Sequence, residues 1–204
     1  MAEPSIQTPT DESGFGELAR QVRECQRCRL GASRTKAVFG MGSSVSPLVF
    51  VGEGPGAQED AQGLPFVGRS GKLLDTLIAQ ELGITRDVLY IANIVKCRPP
   101  QNRNPAADEV QACTPYLAAQ LAYISPELIV ALGAVAAKYF LGDGLSISAA
   151  RGRFFSTAVG TVMPMFHPSY GLRQGPSAVS AMRADLVAAK LYLHKREKWP
   201  WPSV

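Results

Sequence analysis

Four cysteines and one histidine carry much of the reactive chemistry in this sequence. Cys25 and Cys28 are separated by two residues, and Cys97 and Cys113 follow far downstream. In a reducing compartment disulfides are disfavoured, and four clustered thiolates usually hold metal. Spacing alone leaves zinc, an iron–sulfur cluster and four independent buried thiols all open, because only one pair is tight. Arg23, Arg27 and Arg29 outnumber Glu24 around that pair and would offset the negative charge of a thiolate set. A second chemical stretch is GEGPGAQEDAQGLPFVGRSGKLLD, residues 52–75. Gly52, Gly54 and Gly56 let the backbone turn sharply and approach a ligand closely. Phe66 then offers a flat face on a polar, glycine-rich loop, and a helix opens near Ser70. Together these describe a pocket for something planar attached to something anionic. His167 begins a third stretch with Pro168, Ser169, Tyr170 and Arg173; a hydrogen-bonded structural histidine is the plainer alternative there. His194 lies among Lys and Arg and reads as a surface residue.

These residues need elements to bring them together. Apolar runs at 48–51, 90–95, 128–132 and 161–166 predict buried strands. Helices are predicted at 70–82, 105–124, 134–141 and 177–197, the second opened by Asn104 and Pro105. Strands alternating with helices imply an α/β fold, a parallel sheet covered on both faces. Pro164 lacks a backbone donor, which predicts an edge position or a bulge for the last strand. Ligands in such sheets gather beyond the carboxyl ends of the strands. That rule brings residues 53–56, 93–103 and 167–170 to one place.

The 204 residues suit one domain, expected over 15–204 with a flexible tail at 1–14. Hydrophobic residues make up 46% and charged residues 19%, the balance of a soluble globular protein. A net charge of +4 favours an anionic partner. No apolar run approaches the roughly 18 residues of a membrane span. The N-terminus lacks a basic stretch followed by an apolar one, so no secretory signal is expected and a cytoplasmic location is. A monomer is the expected assembly.

The segment at 52–75, NIVKCRPPQNRNP with Cys113 behind it, HPSYGLR and the Cys25/Cys28 pair, in that combination, resemble family 4 uracil-DNA glycosylases. The resemblance covers about residues 15 to 195. It implies a three-layer α/β/α domain around a four-stranded parallel sheet. It also implies hydrolysis of the N-glycosidic bond of uracil in single- or double-stranded DNA, leaving an abasic site. By motif, Cys25, Cys28, Cys97 and Cys113 would hold a [4Fe-4S] cluster. Phe66 would stack on the flipped base, Asn93 would read its Watson–Crick edge, and His167 would donate toward uracil O2. Gly54 and Gly56 would complete the base site, with Gly54 standing where better-known uracil glycosylases carry an Asp. Glu53 and Glu59 are the nearby carboxylates, candidates for activating water or, for Glu59, for shaping the pocket near C5 of the base. Arg69, Arg98, Arg103, Ser169, Tyr170 and Arg173 would contact DNA, with 168–173 a loop able to wedge into the duplex. A non-catalytic DNA-binding module is the rival from another class, and Phe66, Asn93 and His167 together argue against it. The segment 99–105 holds no histidine, which argues against the covalent variant of the superfamily.

Overall fold

A six-stranded mixed sheet forms the centre of the computed structural model, which describes residues 6–201. Its strands are β1 (Met41–Gly42), β2 (Leu48–Gly52), β3 (Tyr90–Asn93), β4 (Leu128–Leu132), β5 (Phe155–Thr157) and β6 (Gly160–Met165). Their order is β1-β3-β2-β4-β6-β5. The four inner strands are parallel, as expected, and β1 and β5 add antiparallel edges that the sequence did not announce. Two- and three-residue strands are too short to display a period of two.

The helices are α1 (Glu12–Glu24), α2 (Leu30–Ser33), α3 (Ala57–Gln62), α4 (Arg69–Leu77), α5 (Ala107–Ile124), α6 (Ala134–Leu141), α7 (Ile147–Ala150), α8 (Pro168–Gln174) and α9 (Pro176–Lys195). A π-helical turn, Ile78–Leu82, prolongs α4. Alternate residues of the inner strands serve opposite faces. Val49, Val51, Ala92 and Ala131 pack with Leu18, Val22 and Leu117 from α1 and α5. Leu48, Phe50, Ile91 and Val130 pack with Leu74, Leu77, Met182 and Leu186 from α4 and α9. Every residue of β2 and β4 is buried, which is why both read as unbroken apolar runs. The result is three layers.

Three expectations need correction. β6 is an interior strand, because β4 flanks one side and β5 the other. Pro164 is tolerated because β5 reaches only to Val162, and the Pro164 carbonyl accepts the Gly152 N–H instead. The long helix α5 begins at Ala107 rather than at Pro105, with the Glu109 carboxylate accepting the Ala106 N–H at 2.7 Å. The first helix begins at Glu12, inside the expected tail, with Asp11 Oδ1 accepting from the Gly14 N–H at 2.7 Å. The first five residues of that tail lie outside the described residues. Among the described residues no helix is long and apolar enough to cross a membrane.

Candidate functional site

A cavity of about 510 Å³ opens beyond the carboxyl ends of β2, β3 and β6, within the range of small-molecule sites. Glu53, Gly54, Gly56, Glu59, Phe66, Asn93, Arg103, His167, Ser169 and Arg173 line it. Arg69, Arg98 and Tyr170 are not among its lining residues. Tyr170 packs on Phe166, ring centres 4.7 Å apart, and Arg98 Nε donates to Asn102 Oδ1 at 2.8 Å. The residues 168–173 belong to helix α8, not to the expected loop.

Gly52 ends β2 and leaves room for two side chains. A Cβ there would stand 2.5 Å from Asn93 Oδ1 and 2.7 Å from Phe66 Cζ. Asn93 ends β3, is 1% exposed, and its Oδ1 is buried with no hydrogen-bond partner. A buried acceptor without a donor is costly, so this oxygen is poised for a ligand N–H. Phe66 adopts φ +52°, a left-handed conformation unusual for an aromatic residue. Its ring centre lies 5.6 Å from that of His167, inclined by 34°.

Two charged groups hold the Phe66 loop. Arg86 donates to the Phe66 carbonyl at 2.8 Å and to the Pro65 carbonyl at 2.5 Å. Glu59 Oε1 accepts the N–H groups of Val67 and Gly68 at 2.9 and 2.8 Å. One oxygen of Glu59 is therefore engaged in shaping the loop, a use the sequence did not suggest. Glu53 also lines the cavity, and burial pushes its carboxyl pKa upward.

His167 caps the N-terminus of α8. Its Nδ1 accepts the Ser169 N–H at 3.2 Å, which leaves the ring proton on Nε2. Burial first, and the Arg173 charge second, depress its pKa to about 4 despite an opposing pull from Glu59. The ring is thus a neutral donor at physiological pH. Arg173 Nη1 reaches Ser169 Oγ at 3.2 Å at the rim. Arg103 is bonded to Glu109 through both terminal nitrogens, at 2.8 and 2.6 Å, so its charge is already engaged.

Residues 39–189 match the family described as the uracil DNA glycosylase superfamily. The chain belongs to that superfamily. It is 44% identical to a type-4 uracil-DNA glycosylase of Thermotoga maritima, over 87% of this chain and 94% of that protein. A type-4 uracil-DNA glycosylase of Saccharolobus solfataricus is 42% identical, over 78% of this chain and 77% of its own length. One of Sulfurisphaera tokodaii is also 42% identical, over 76% and 74%.

This member of the superfamily has a second cavity, lined by Cys25, Cys28, Cys97 and Cys113 together with Arg34 and Lys96. α1 and the turn after it deliver the first two cysteines, the segment after β3 delivers Cys97, and α5 delivers Cys113. The sulfurs attract donors. Arg34 donates to Cys97 Sγ at 3.1 Å, and the Lys96 N–H donates to Cys113 Sγ at 3.2 Å. Burial pushes the Cys113 thiol up to about 12, with Lys96 opposing. Among the described residues no group of three or more His, Cys, Asp or Glu side chains is arranged to hold a metal ion as it stands.

Sequence reasoning missed Arg34, Lys96, Arg86 and Glu109. Glu109 is fully buried, joins Arg29 and Arg103, and caps α5. Its signal was available, since a Glu at the third position of a helix suggests a capping box. Lys96 also had one, a lone cation in the run Ile94-Val95-Lys96-Cys97. Arg34 and Arg86 had none, because their partners are brought near only by the fold.

Proposed function

We propose that this chain releases uracil from DNA by hydrolysing its N-glycosidic bond, in the manner that the names of its relatives describe. One observation carries the reading: a buried, unpartnered Asn93 Oδ1 shares its cavity with Phe66 and the neutral His167. Uracil offers an N3–H to that oxygen and an O4 to the amide nitrogen. Cytosine presents the opposite pattern at both positions, so the same amide meets donor against donor and acceptor against acceptor. A polar pocket built for one pattern can reject the other by about 10⁴-fold.

The base must leave the duplex to enter, which costs a few kcal/mol, least where pairing is already absent. Phe66 supplies the stacking face. His167 Nε2–H donates to uracil O2, where negative charge gathers as the bond to the sugar breaks. One preorganised donor of this kind contributes about 3–4 kcal/mol. Glu53 and Glu59 are the carboxylates for orienting water, and the engagement of Glu59 with Val67 and Gly68 favours Glu53. Arg173 and Ser169 at the rim, with Arg69, Arg98 and Tyr170 beyond it, would meet the DNA backbone, whereas Arg103 would shape its loop.

Cys25, Cys28, Cys97 and Cys113 would hold a [4Fe-4S] cluster, for which a shared cavity flanked by Arg34 and Lys96 suits an anionic thiolate set. When bound, it would supply a structural cross-link between α1, the segment after β3 and α5. A brown protein with broad visible absorbance supports this, and a colourless protein containing zinc overturns it.

The deciding experiment measures alkali-revealed abasic sites in oligonucleotides carrying U·G, U·A, T·G or single-stranded U. Release from every uracil substrate but not from T·G, abolished by Asn93→Ala with His167→Ala, supports the reading. Absence of release by iron-loaded protein that still binds the DNA overturns it in favour of a binding module.

A further inference from the structure

Lys96 lies buried between the two cavities. It is 1% exposed, and its Nζ donates to the Asn93 carbonyl at 2.8 Å and to Gln120 Oε1 at 2.5 Å. Its backbone N–H meets Cys113 Sγ at 3.2 Å, and the next residue is Cys97. One residue therefore touches both the asparagine of the base cavity and the lining of the cysteine cavity.

The local geometry gives this contact a purpose. β1 pairs only with Tyr90 and Ile91, so the Asn93 carbonyl lies past the end of that neighbour. The Lys96 ammonium takes the place of a strand there. Gln120 makes the arrangement stiff, since it is fully buried and its Nε2 donates to the Phe39 carbonyl and Tyr90 Oη, both at 2.9 Å. Burying an ammonium is expensive unless opposite charge is near. Both Nζ partners are neutral oxygens, so the hydrogen bonds to the Asn93 carbonyl and Gln120 are what hold the ammonium in place, while the backbone of the same residue rests against Cys113 Sγ.

We infer that Lys96 is a positioning residue for base reading, fixing the Asn93 peptide and tying its position to the cysteine centre. This rests on the glycosylase reading above. A hydrogen bond to a charged group contributes enough to alter recognition about tenfold when lost.

The test compares the wild type with Lys96→Met, which keeps length and apolar bulk but removes the donor. Affinity is measured for oligonucleotides carrying 2′-fluoro-2′-deoxyuridine or 2′-fluoro-2′-deoxycytidine, whose glycosidic bonds resist hydrolysis. Iron content and visible absorbance are recorded on the same samples. If the wild type shows no preference for the uracil, the glycosylase reading fails and the inference with it. If the wild type prefers uracil, Lys96→Met is expected to retain iron and lose about tenfold or more of the preference. In an Asn93→Ala background it should lose nothing further, since the two residues act as one unit. An undiminished preference, or an equal additional loss in the Asn93→Ala background, overturns the inference while leaving the glycosylase reading standing. Should Lys96→Met fail to fold or to load iron, Gln120→Leu decides instead. It leaves Lys96 beside the cysteines and removes one acceptor of Nζ. A reduced preference with iron intact supports the inference, and an unchanged preference overturns it.

Discussion

Arg86 donates a hydrogen bond to the carbonyl oxygen of Phe66 at 2.8 Å, from twenty residues further along the chain. Phe66 needs such a hold. Its φ of +52° costs roughly 1–3 kcal/mol in a residue with a side chain, and only surrounding structure keeps it there. Gly71 adds to the constraint, since a Cβ at that position would stand 1.8 Å from the same carbonyl oxygen. Replacing Arg86 with Met should lower stability by about 2 kcal/mol, read from denaturant unfolding. Turnover on uracil oligonucleotides should fall more than the KM rises, because DNA still docks while the stacking face wanders. Unchanged turnover would show that the ring is held by packing alone.

His167 makes a prediction about pH. Its pKa in the folded chain, about 4, lies below its ordinary value of 6.5. Protonation of His167 should therefore leave turnover untouched as pH falls through 6.5 and lower it only near 4, so that any earlier acid limb belongs to Glu53, whose carboxyl burial pushes upward. For stability, the unfolded chain binds the extra proton first, so stability is lost as pH falls from 6.5 toward 4 and is fully present above 6.5. His167→Ala should reduce turnover by about 10²–10³-fold with DNA affinity little changed. A midpoint near 6.5 for the His167 ring itself, followed by its NMR signals, would contradict a neutral ring with its proton on Nε2.

Glu59 is expected to separate two substitutions that look alike. Its Oε1 serves two backbone N–H groups, and Gln offers an oxygen to the same pair. Glu59→Gln should keep most of the turnover on uracil. Glu59→Ala should lower stability by about 1–3 kcal/mol, since two part-buried amides lose their acceptor. Melting curves and single-turnover rates on the two variants distinguish this bracing role from activation of water, which both variants would abolish alike.

Glu109 links the segment after α1 to the loop before α5, through Arg29 and Arg103. The Arg103 hydrogen bonds hold its pKa well below the usual 4.5, at about 2. A carboxylate depressed in this way stabilises the fold above the unfolded pKa, and that stability is lost as pH falls from 4.5 through 2. Glu109→Gln should lower the melting temperature at neutral pH and flatten its dependence on pH across that acid window. Limited proteolysis within residues 98–105 should quicken in the same variant.

Much of this arrangement could be read from the chain because burial on both faces writes itself as unbroken apolar runs. Leu48-Val49-Phe50-Val51 and Leu128-Ile129-Val130-Ala131-Leu132 are such runs, and every residue in them is buried. His167 stood out just after a strand and Asn93 toward the end of one, where ligands gather, and Phe66 as a lone aromatic on a glycine-rich loop. The supports behind them did not stand out. Arg29 meets Glu109 across eighty residues, and Arg34 meets Cys97 across sixty-three. No local period encodes such pairs. The helix α8 was legible in part, since His167-Pro168 places a capping side chain before a proline at the first helical position. Its glycine and polar residues read more readily as a loop.

The order of the sheet follows the order of synthesis in halves. β1, β3 and β2 precede Ile124, whereas β4, β6 and β5 follow it. All four cysteines emerge by residue 113, together with Asn93, Phe66 and both carboxylates of the base cavity. His167 leaves the ribosome last of these groups. A partly made chain thus carries its full set of thiols well before it owns the donor that would let a base depart.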